Sequence, residues 1–310
     1  MSGRLVSIVT PSFNQADFLE EAMRSVLDQD YEPIEYFVVD GGSTDGSAEI
    51  VRRYAHRLAW WTSEPDTGQV AALNRGFEHS HGDYMGWLNS DDTLLPGAVS
   101  AMVAELECDP GLVLVYGDAL YTDTQSRETG CLASRPWEPE AMVRRADNHV
   151  VQPSSLWRRA AWEAAGPLNE RGYYFFDFEF FLRLSSLGAV KRVDRPLSTY
   201  REHARSKTMG SGLRKANDLI RFADEFLSSD RLPEALRPAV RQGRSSAYLL
   251  AGDYLYDELA LGRARRYLWG GLASYPGNLS HRNLSLALKS LLPASVVRSL
   301  RARRRGPNRD

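Results

Sequence analysis

Two adjacent carboxylates, Asp91 and Asp92, end the stretch GDYMGWLNSDDT at 82–93, directly after an apolar run from Tyr84 to Leu88. Neighbouring carboxylates at the mouth of a buried strand repel each other and lose hydration. A cation or a ring of donors must offset that cost. In an open α/β sheet, ligands bind at the carboxyl ends of the strands, where this pair falls. A hard divalent cation shared with ligand phosphates is the natural compensation, because Mg²⁺ takes one or two carboxylates plus phosphate oxygens. The plain alternative is a solvated Asp-Asp turn capping a helix that starts near Pro96.

Other stretches carry residue types that complement such a pair. In TPSFNQ at 10–15, Phe13 can stack a planar base and Pro11 exposes its carbonyl; the segment reads equally as a plain strand-to-helix turn. In DGGSTDGS at 40–47, glycines let the backbone approach a ligand, and Asp40 can accept from a base imide or a ribose hydroxyl. A glycine turn with a helix cap at Ser43 or Thr44 explains the same residues. Neither G-x-G-x-x-G nor G-x-x-x-x-G-K-[ST] is present, which weakens hydride-transfer and P-loop readings. The aromatic block YYFFDFEFFLRLSSL at 173–187 encloses Asp177 and Glu179. Apolar surroundings raise a carboxyl's proton affinity, which suits a general base. On a helix the two acids diverge by about 200°. Glu179 and Arg183, four apart, form a structural pair, leaving Asp177 as the catalytic candidate. In YREHARSKT at 200–208, His203 offers a metal ligand, while Arg201, Arg205, Ser206 and Lys207 offer phosphate contacts. A lone histidine after a strand is as readily just packed. His56, His79, His81, His149 and His281 have no such company and read as structural.

The elements that would hold these groups alternate. Strands are expected at 4–10, 34–39, 58–62 and 84–88, with helices at 16–29, 48–54 and from Gln69 onward, where Ala72, Leu73 and Phe77 face inward. That alternation predicts a mostly parallel, doubly wound α/β sheet with helices on both faces. The pattern then loosens. Strands are expected at 112–116, 119–122, 128–132, 150–157, 190–193 and 197–201, the last two split by Arg195-Pro196, with helices at 160–165 and 173–187. From about Gly210 helical periodicity takes over, at 213–227, 235–250 and 253–273, predicting a helical appendage. Its tail at 284–305 runs from SLALKSLLPASVV into RSLRARRR. A basic amphipathic segment of that kind suits peripheral contact with an anionic membrane, or else serves as a solvated polar tail.

Bulk composition narrows the classes. Hydrophobic content of 43% and charged content of 25% are globular values, and a net charge of -2 argues against nucleic acid as the partner. Cys108 and Cys131 make neither a disulfide framework nor a metal spacing, so a reducing, cytoplasmic setting is expected, peripheral on the inner membrane face if the tail docks there. The start, MSGRLVSIVTPSF, lacks signal-peptide architecture, and no apolar run nears the roughly 18 residues of a membrane span.

Taken in order, SIVTPSFNQADFLEEAMRSVLDQDY, DGGSTDGS, SEPDTGQVAALNRGF, GDYMGWLNSDD, DFEFFLRL and YREH resemble the family 2 inverting glycosyltransferases of the GT-A fold, over residues 4–208. The resemblance implies a catalytic domain at 1–209, with a nucleotide-sugar half at 1–117 and an acceptor half at 118–209, followed by the helical region at 210–310. It implies that Pro11, Phe13, Asp40, Gly68, Asn74 and Asp91 bind a nucleotide-diphosphate sugar. It also implies that Asp92 and His203 hold Mg²⁺ or Mn²⁺, and that Asp177 is the base activating an acceptor hydroxyl on a lipid-linked or surface glycan. Phe176 stands where the family commonly has an acid before the base. A sugar-1-phosphate nucleotidyltransferase would carry a Gly- and Arg-rich loop after the first strand, which TPSFNQ is not. A non-catalytic sugar-nucleotide scaffold is the reading from another class.

Overall fold

The structure, a computed structural model, describes residues 3–207 and 210–304, with side chains as far as Ser299. Thr208 and the last basic residues of the expected tail, from Arg305, lie outside the described residues. Two compact units are present, Met1–Glu138 with Asn148–Met209 and Pro139–Asp147 with Gly210–Asp310.

The first unit is built on an eight-stranded sheet. Its opening half alternates as the pattern predicts: β1 (Val6–Ser12), α1 (Ala16–Leu27), β2 (Ile34–Asp40), α2 (Ser47–Tyr54), β3 (Trp60–Ser63), α3 (Gln69–Glu78), β4 (Tyr84–Trp87) and α4 (Ala98–Cys108). β1 lies between β2 and β4, and β3 flanks β2, all parallel. β1 is buried along its whole length, so it carries apolar residues toward both faces. One face packs against Leu19, Met23 and Val26 of α1 and Met102 and Val103 of α4. The other packs against Val70, Leu73 and Phe77 of α3. α3 sits close because Gly76 faces Val9, where a Cβ would collide with the valine methyl. That contact fixes the height of the α3 N-terminus above the strand ends.

The second half is less regular: β5 (Leu112–Thr122), β6 (Glu128–Leu132), α5 (Pro139–Arg145), β7 (Ser155–Arg158), α6 (Arg159–Ala165), α7 (Phe176–Leu184) and β8 (Ala189–Arg201). β7 inserts antiparallel between β4 and β5. β5 also pairs antiparallel with β6 and parallel with β8. The strands expected at 112–116 and 119–122 are one strand, and so are those at 190–193 and 197–201. Register shifts between Tyr116 and Ala119, opposite Arg195-Pro196, absorb the proline's missing donor without breaking either strand. The expected strand at 150–157 shortens to Ser155–Arg158, because Gln152–Ser154 forms a 3₁₀ turn around Pro153. α7 starts at Phe176 rather than 173. It buries Phe176, Phe180 and Phe181 against Trp87 and Trp157.

The second unit is helical: α8 (Gly212–Arg221) running into a π turn at Phe222–Phe226, then α9 (Val240–Asp257), α10 (Leu261–Ser274), α11 (His281–Lys289) and α12 (Ala294–Arg304). α5 joins it, Ser246 Oγ donating to the Arg144 carbonyl at 2.7 Å and Arg144 Nη1 to Gln242 Oε1 at 3.2 Å. The break expected near Gly252 falls instead at Leu259, whose φ is 58°. Gly252 stays helical because Leu268 of α10 packs where its side chain would be. The tail expected at 284–305 is two helices, since Pro293 precedes α12. Among the described residues, no helix is long and apolar enough to cross a membrane.

Candidate active site

The carboxyl ends of β1 and β2 are laced together. Gly41 N donates to Ser12 O at 2.8 Å, Asn14 N to Ser43 Oγ at 2.8 Å, and Thr44 N to Asn14 Oδ1 at 2.9 Å. Asp40, fully buried, organises this corner. Its Oδ1 accepts from Ser43 Oγ at 2.5 Å, and its Oδ2 from Ser43 N at 2.9 Å and Ser63 Oγ at 2.6 Å. With both oxygens engaged by Ser43 and Ser63, Asp40 braces the β2 turn. Pro11 is buried in β1, whereas Phe13 is 61% exposed beside it. Ser12 Oγ and Gln15 Oε1 are buried without a hydrogen-bond partner among the described residues. A buried polar atom left unpaired is costly, and a ligand's polar groups relieve it.

β4 hands its end to the acids: Leu88 N donates to Val9 O at 3.0 Å, and the chain turns at Asn89. The two carboxylates then part. Asp92 is 2% exposed; Oδ1 accepts from Arg201 N at 3.0 Å and Oδ2 from Asn89 Nδ2 at 3.2 Å. Burial, then the Asp91 charge beside it, pushes the Asp92 carboxyl well above the usual carboxylate range. Asp91 is turned the other way, its Oδ2 3.1 Å from His203 Nε2. The side chain that meets His203 is thus Asp91, while Arg201 and Asn89 hold Asp92 beside it. The His203 ring packs on Phe18 with centroids 4.7 Å apart, and its Nδ1 is buried without a partner among the described residues.

Arg201, expected from its sequence context to offer a phosphate contact, is buried at 2% exposure. Its guanidinium donates to Asp91 O at 2.8 Å, Asp123 O at 3.0 Å, Ser126 Oγ at 2.9 Å and Glu21 Oε2 at 2.7 Å. Its plane lies 4.9 Å from the Phe18 centroid. Four of the five guanidinium N–H groups go to protein acceptors, so Arg201 clamps the acidic loop onto β8 and α1. Arg205 pairs with Asp17.

Asp177 stands in the first turn of α7. Oδ1 accepts from Phe178 N at 2.7 Å and Oδ2 from Asn148 Nδ2 at 3.3 Å. Burial raises its carboxyl to about 6, against the opposing pull of the Phe178 N–H, the Lys207 charge and Asn148. Glu179, as the spacing predicts, turns away to Arg183 and to Asn169 Nδ2, the latter at 2.9 Å. Lys207 bridges toward the other acids. Its Nζ lies 4.9 Å from the Phe176 ring and donates to Gln69 Oε1 at 2.7 Å. Gln69 Nε2 donates to Asn89 Oδ1 at 2.7 Å, and Asn89 reaches Asp92. The Asp177 end of α7 and the acids after β4 thus share one polar chain.

Two further expected site residues lie at α3. Asn74 exchanges hydrogen bonds with the Leu168 backbone, 3.0 Å each way, tying α3 to the loop before α7. Gly68 has φ 128° just before α3, and its N–H donates to Asp66 Oδ1 at 2.7 Å. Sequence reading missed Gln69, Asn148 and Gln152, whose Nε2 donates to Trp87 O at 2.8 Å. Uncharged amides carry no signal until the fold brings them to a carboxylate.

Among the described residues, no group of three or more His, Cys, Asp or Glu is assembled for a metal. Asp91 and His203 nevertheless fit one whose other ligands come from a bound diphosphate.

Comparison with known proteins agrees with this architecture. The chain is 32% identical to the O-antigen biosynthesis protein RfbC of Myxococcus xanthus over 72% of its own length and 18% of that protein. It spans only 18 to 28% of the length of four such curated relatives. Among solved structures it resembles S. aureus TarS 1–349 in complex with UDP-GlcNAc, with a TM-score of 0.65 at 15% identity, covering 96% of this chain and 88% of that one. It also resembles the mannosyltransferase PcManGT from Pyrobaculum calidifontis in complex with GDP-Man and Mn²⁺, with a TM-score of 0.60 at 20% identity, covering 94% and 80%. The fold is that of the GT-A glycosyltransferases. A sequence profile described as glycosyl transferase family 2 matches residues 7–157, from β1 through the acidic loop to β7, and the chain belongs to that family.

Proposed function

We propose that this chain transfers a sugar from a nucleotide-diphosphate donor to a glycan or lipid-linked acceptor hydroxyl, with inversion and with the help of Mg²⁺ or Mn²⁺. The names of its relatives support polysaccharide assembly as the setting. The observation that carries the reading is Asp177, a carboxyl raised to about 6 on the same polar chain as the acids after β4. A pKa near the working pH is what a general base needs, and a mere binding scaffold has no use for it.

Phe13 offers a stacking face for the base, and Ser12 and Gln15 offer unpaired polar atoms around it. Asp91 and His203 would hold the metal, with Asp92 and Arg201 fixing Asp91 from behind. Bound there with the diphosphate, such an ion supplies Lewis-acid neutralisation of the leaving group's charge. Asp177 takes the proton from the acceptor hydroxyl. The acceptor oxygen bonds to the anomeric carbon as the bond from that carbon to the phosphate oxygen breaks, and the electron pair leaves on the nucleoside diphosphate. One displacement inverts the centre. Asn148 orients the base: its Oδ1 accepts from Val150 N at 3.1 Å, which turns its amide N–H₂ toward Asp177. Lys207 lies where a second positive charge can meet the departing diphosphate.

Screening thermal stabilisation by UDP-, GDP- and dTDP-sugars with Mn²⁺, followed by transfer assays on lipid-linked acceptors, tests the reading. Asp177→Asn is expected to keep donor binding and abolish transfer. Near wild-type transfer by that variant, or no stabilisation by any donor, overturns it.

A further inference from the structure

We propose that the face formed by α11, the start of α12 and the adjoining end of α10 docks on an anionic lipid surface. The first observation is charge. Between Glu258 and Asp310 the chain has eleven Lys and Arg and no Asp or Glu, leaving 27 basic against 40 acidic side chains elsewhere. A chain that is slightly acidic as a whole thus segregates its cations into its last helices. Such a cluster is drawn to the negative potential of anionic headgroups.

The second observation is apolar exposure in the same place. Leu288 and Leu291 are 50% and 49% exposed, and Val296 is 41% exposed. Leu288 and Leu291 lie one turn apart, Leu291 N donating to Leu288 O at 3.0 Å, and so share a side of the helix end. The side of α11 that faces the unit is satisfied without them, through Ala287 and Ser290, both buried. Cations frame these side chains. Arg265 Nη2 reaches from α10 to the Ser290 carbonyl at 3.0 Å, Lys289 sits between the leucines, and exposed Arg298 follows Val296 by two residues. Exposed apolar side chains interspersed with Arg and Lys are what a helix lying in a headgroup layer presents. Nucleic acid would use the charge but leave the leucines wet, and a second copy of the chain would bring like charge against like. A lipid interface uses both features.

The test is co-sedimentation of the full chain with vesicles of phosphatidylcholine alone and of phosphatidylcholine with added phosphatidylglycerol. Binding is expected only to the anionic vesicles and is expected to fall with salt. Leu288→Ser with Leu291→Ser, and separately Lys289→Glu with Arg298→Glu, should each weaken it by roughly tenfold or more, with the circular dichroism spectrum and melting curve unchanged. Equal binding to both vesicle types, or unchanged binding in either double variant, overturns the proposal. Loss of a dimer in light scattering on the leucine change, without loss of vesicle binding, assigns the face to self-association. Tight RNA binding indifferent to the leucines, with no vesicle binding, assigns it to nucleic acid.

Discussion

Replacing Asp177 by asparagine should stabilise the free protein while removing its chemistry. The carboxyl is raised from 3.8 to about 6, chiefly by burial. Two pKa units correspond to about 3 kcal/mol at about 1.4 kcal/mol each. Asp177 is only partly shielded from solvent, so water screens some of that. The amide also keeps one of the two contacts to Phe178 N and Asn148 on an oxygen and loses the other, costing about 1 kcal/mol. A net gain of roughly 1–2 kcal/mol remains, or about 2–8 °C in Tm for a domain of this size. The sign depends on pH. Between the unfolded and folded pKa values the native state retains a proton that the unfolded chain has released, so wild-type stability falls as pH rises through that window. The advantage of Asp177→Asn must therefore be absent near pH 4, grow through pH 6 and level off above it. Paired melts of wild type and variant across that range, without donor, measure it. A difference that stays flat with pH, or a variant less stable at pH 8, refutes the reasoning that burial sets this carboxyl's pKa.

Asn148→Ala removes a contact that lowers the Asp177 pKa, so the acid limb of the kcat profile should move toward neutral pH while donor affinity is kept. A uniform loss at every pH would mean that Asn148 only supports the loop. Asp91→Asn and His203→Ala should fold normally and lose metal-dependent donor binding, read by titration calorimetry with Mn²⁺. Asp92→Asn removes a charge that burial and Asp91 both disfavour, so its stability relative to wild type should rise with pH in paired melts, offset by about 1 kcal/mol because one amide cannot accept from both Arg201 N and Asn89 Nδ2. Gly76→Ala should destabilise by about 1–3 kcal/mol, since its methyl would enter the space of Val9. A neutral melt for Gly76→Ala would show that α3 can lift off the sheet freely.

The parallel half of the sheet was legible because its signals are local. An apolar run, a stop and a 3.6-residue period each lie within one element, and β1 to β4 follow them closely. The second half was harder because its order is set by partners distant in sequence. β5 and β8 stay continuous through Gly117 and Pro196 only because each supplies the other's register. α5, with no signal beyond Pro139 at its start, owes its place to α9. The site divides in the same way. Asp91, Asp92, Asp177 and His203 stand out by residue type, but which acid meets the histidine depends on Arg201 N, 109 positions from Asp92. Asp40 stood out at the end of β2 and Asn74 only through the family resemblance, and neither signal foretold their contacts with Ser43, Ser63 and Leu168.

Such contacts explain how two neighbouring carboxylates come to do different work. An Asp-Asp pair with equal exposure would share one fate, either both ionised in water or both drawn to one cation. Here Arg201 breaks the symmetry. Its backbone N–H takes Asp92, its Nε takes the carbonyl of Asp91, and three of its other four N–H groups go to Asp123, Ser126 and Glu21. Asp92 is thereby held inside, where burial and the neighbouring Asp91 charge raise its carboxyl's proton affinity. Asp91 is left facing His203. The buried arginine, contributed by the last strand of the sheet, thus turns a pair of like neighbours into one acid anchored inside and one turned to the histidine.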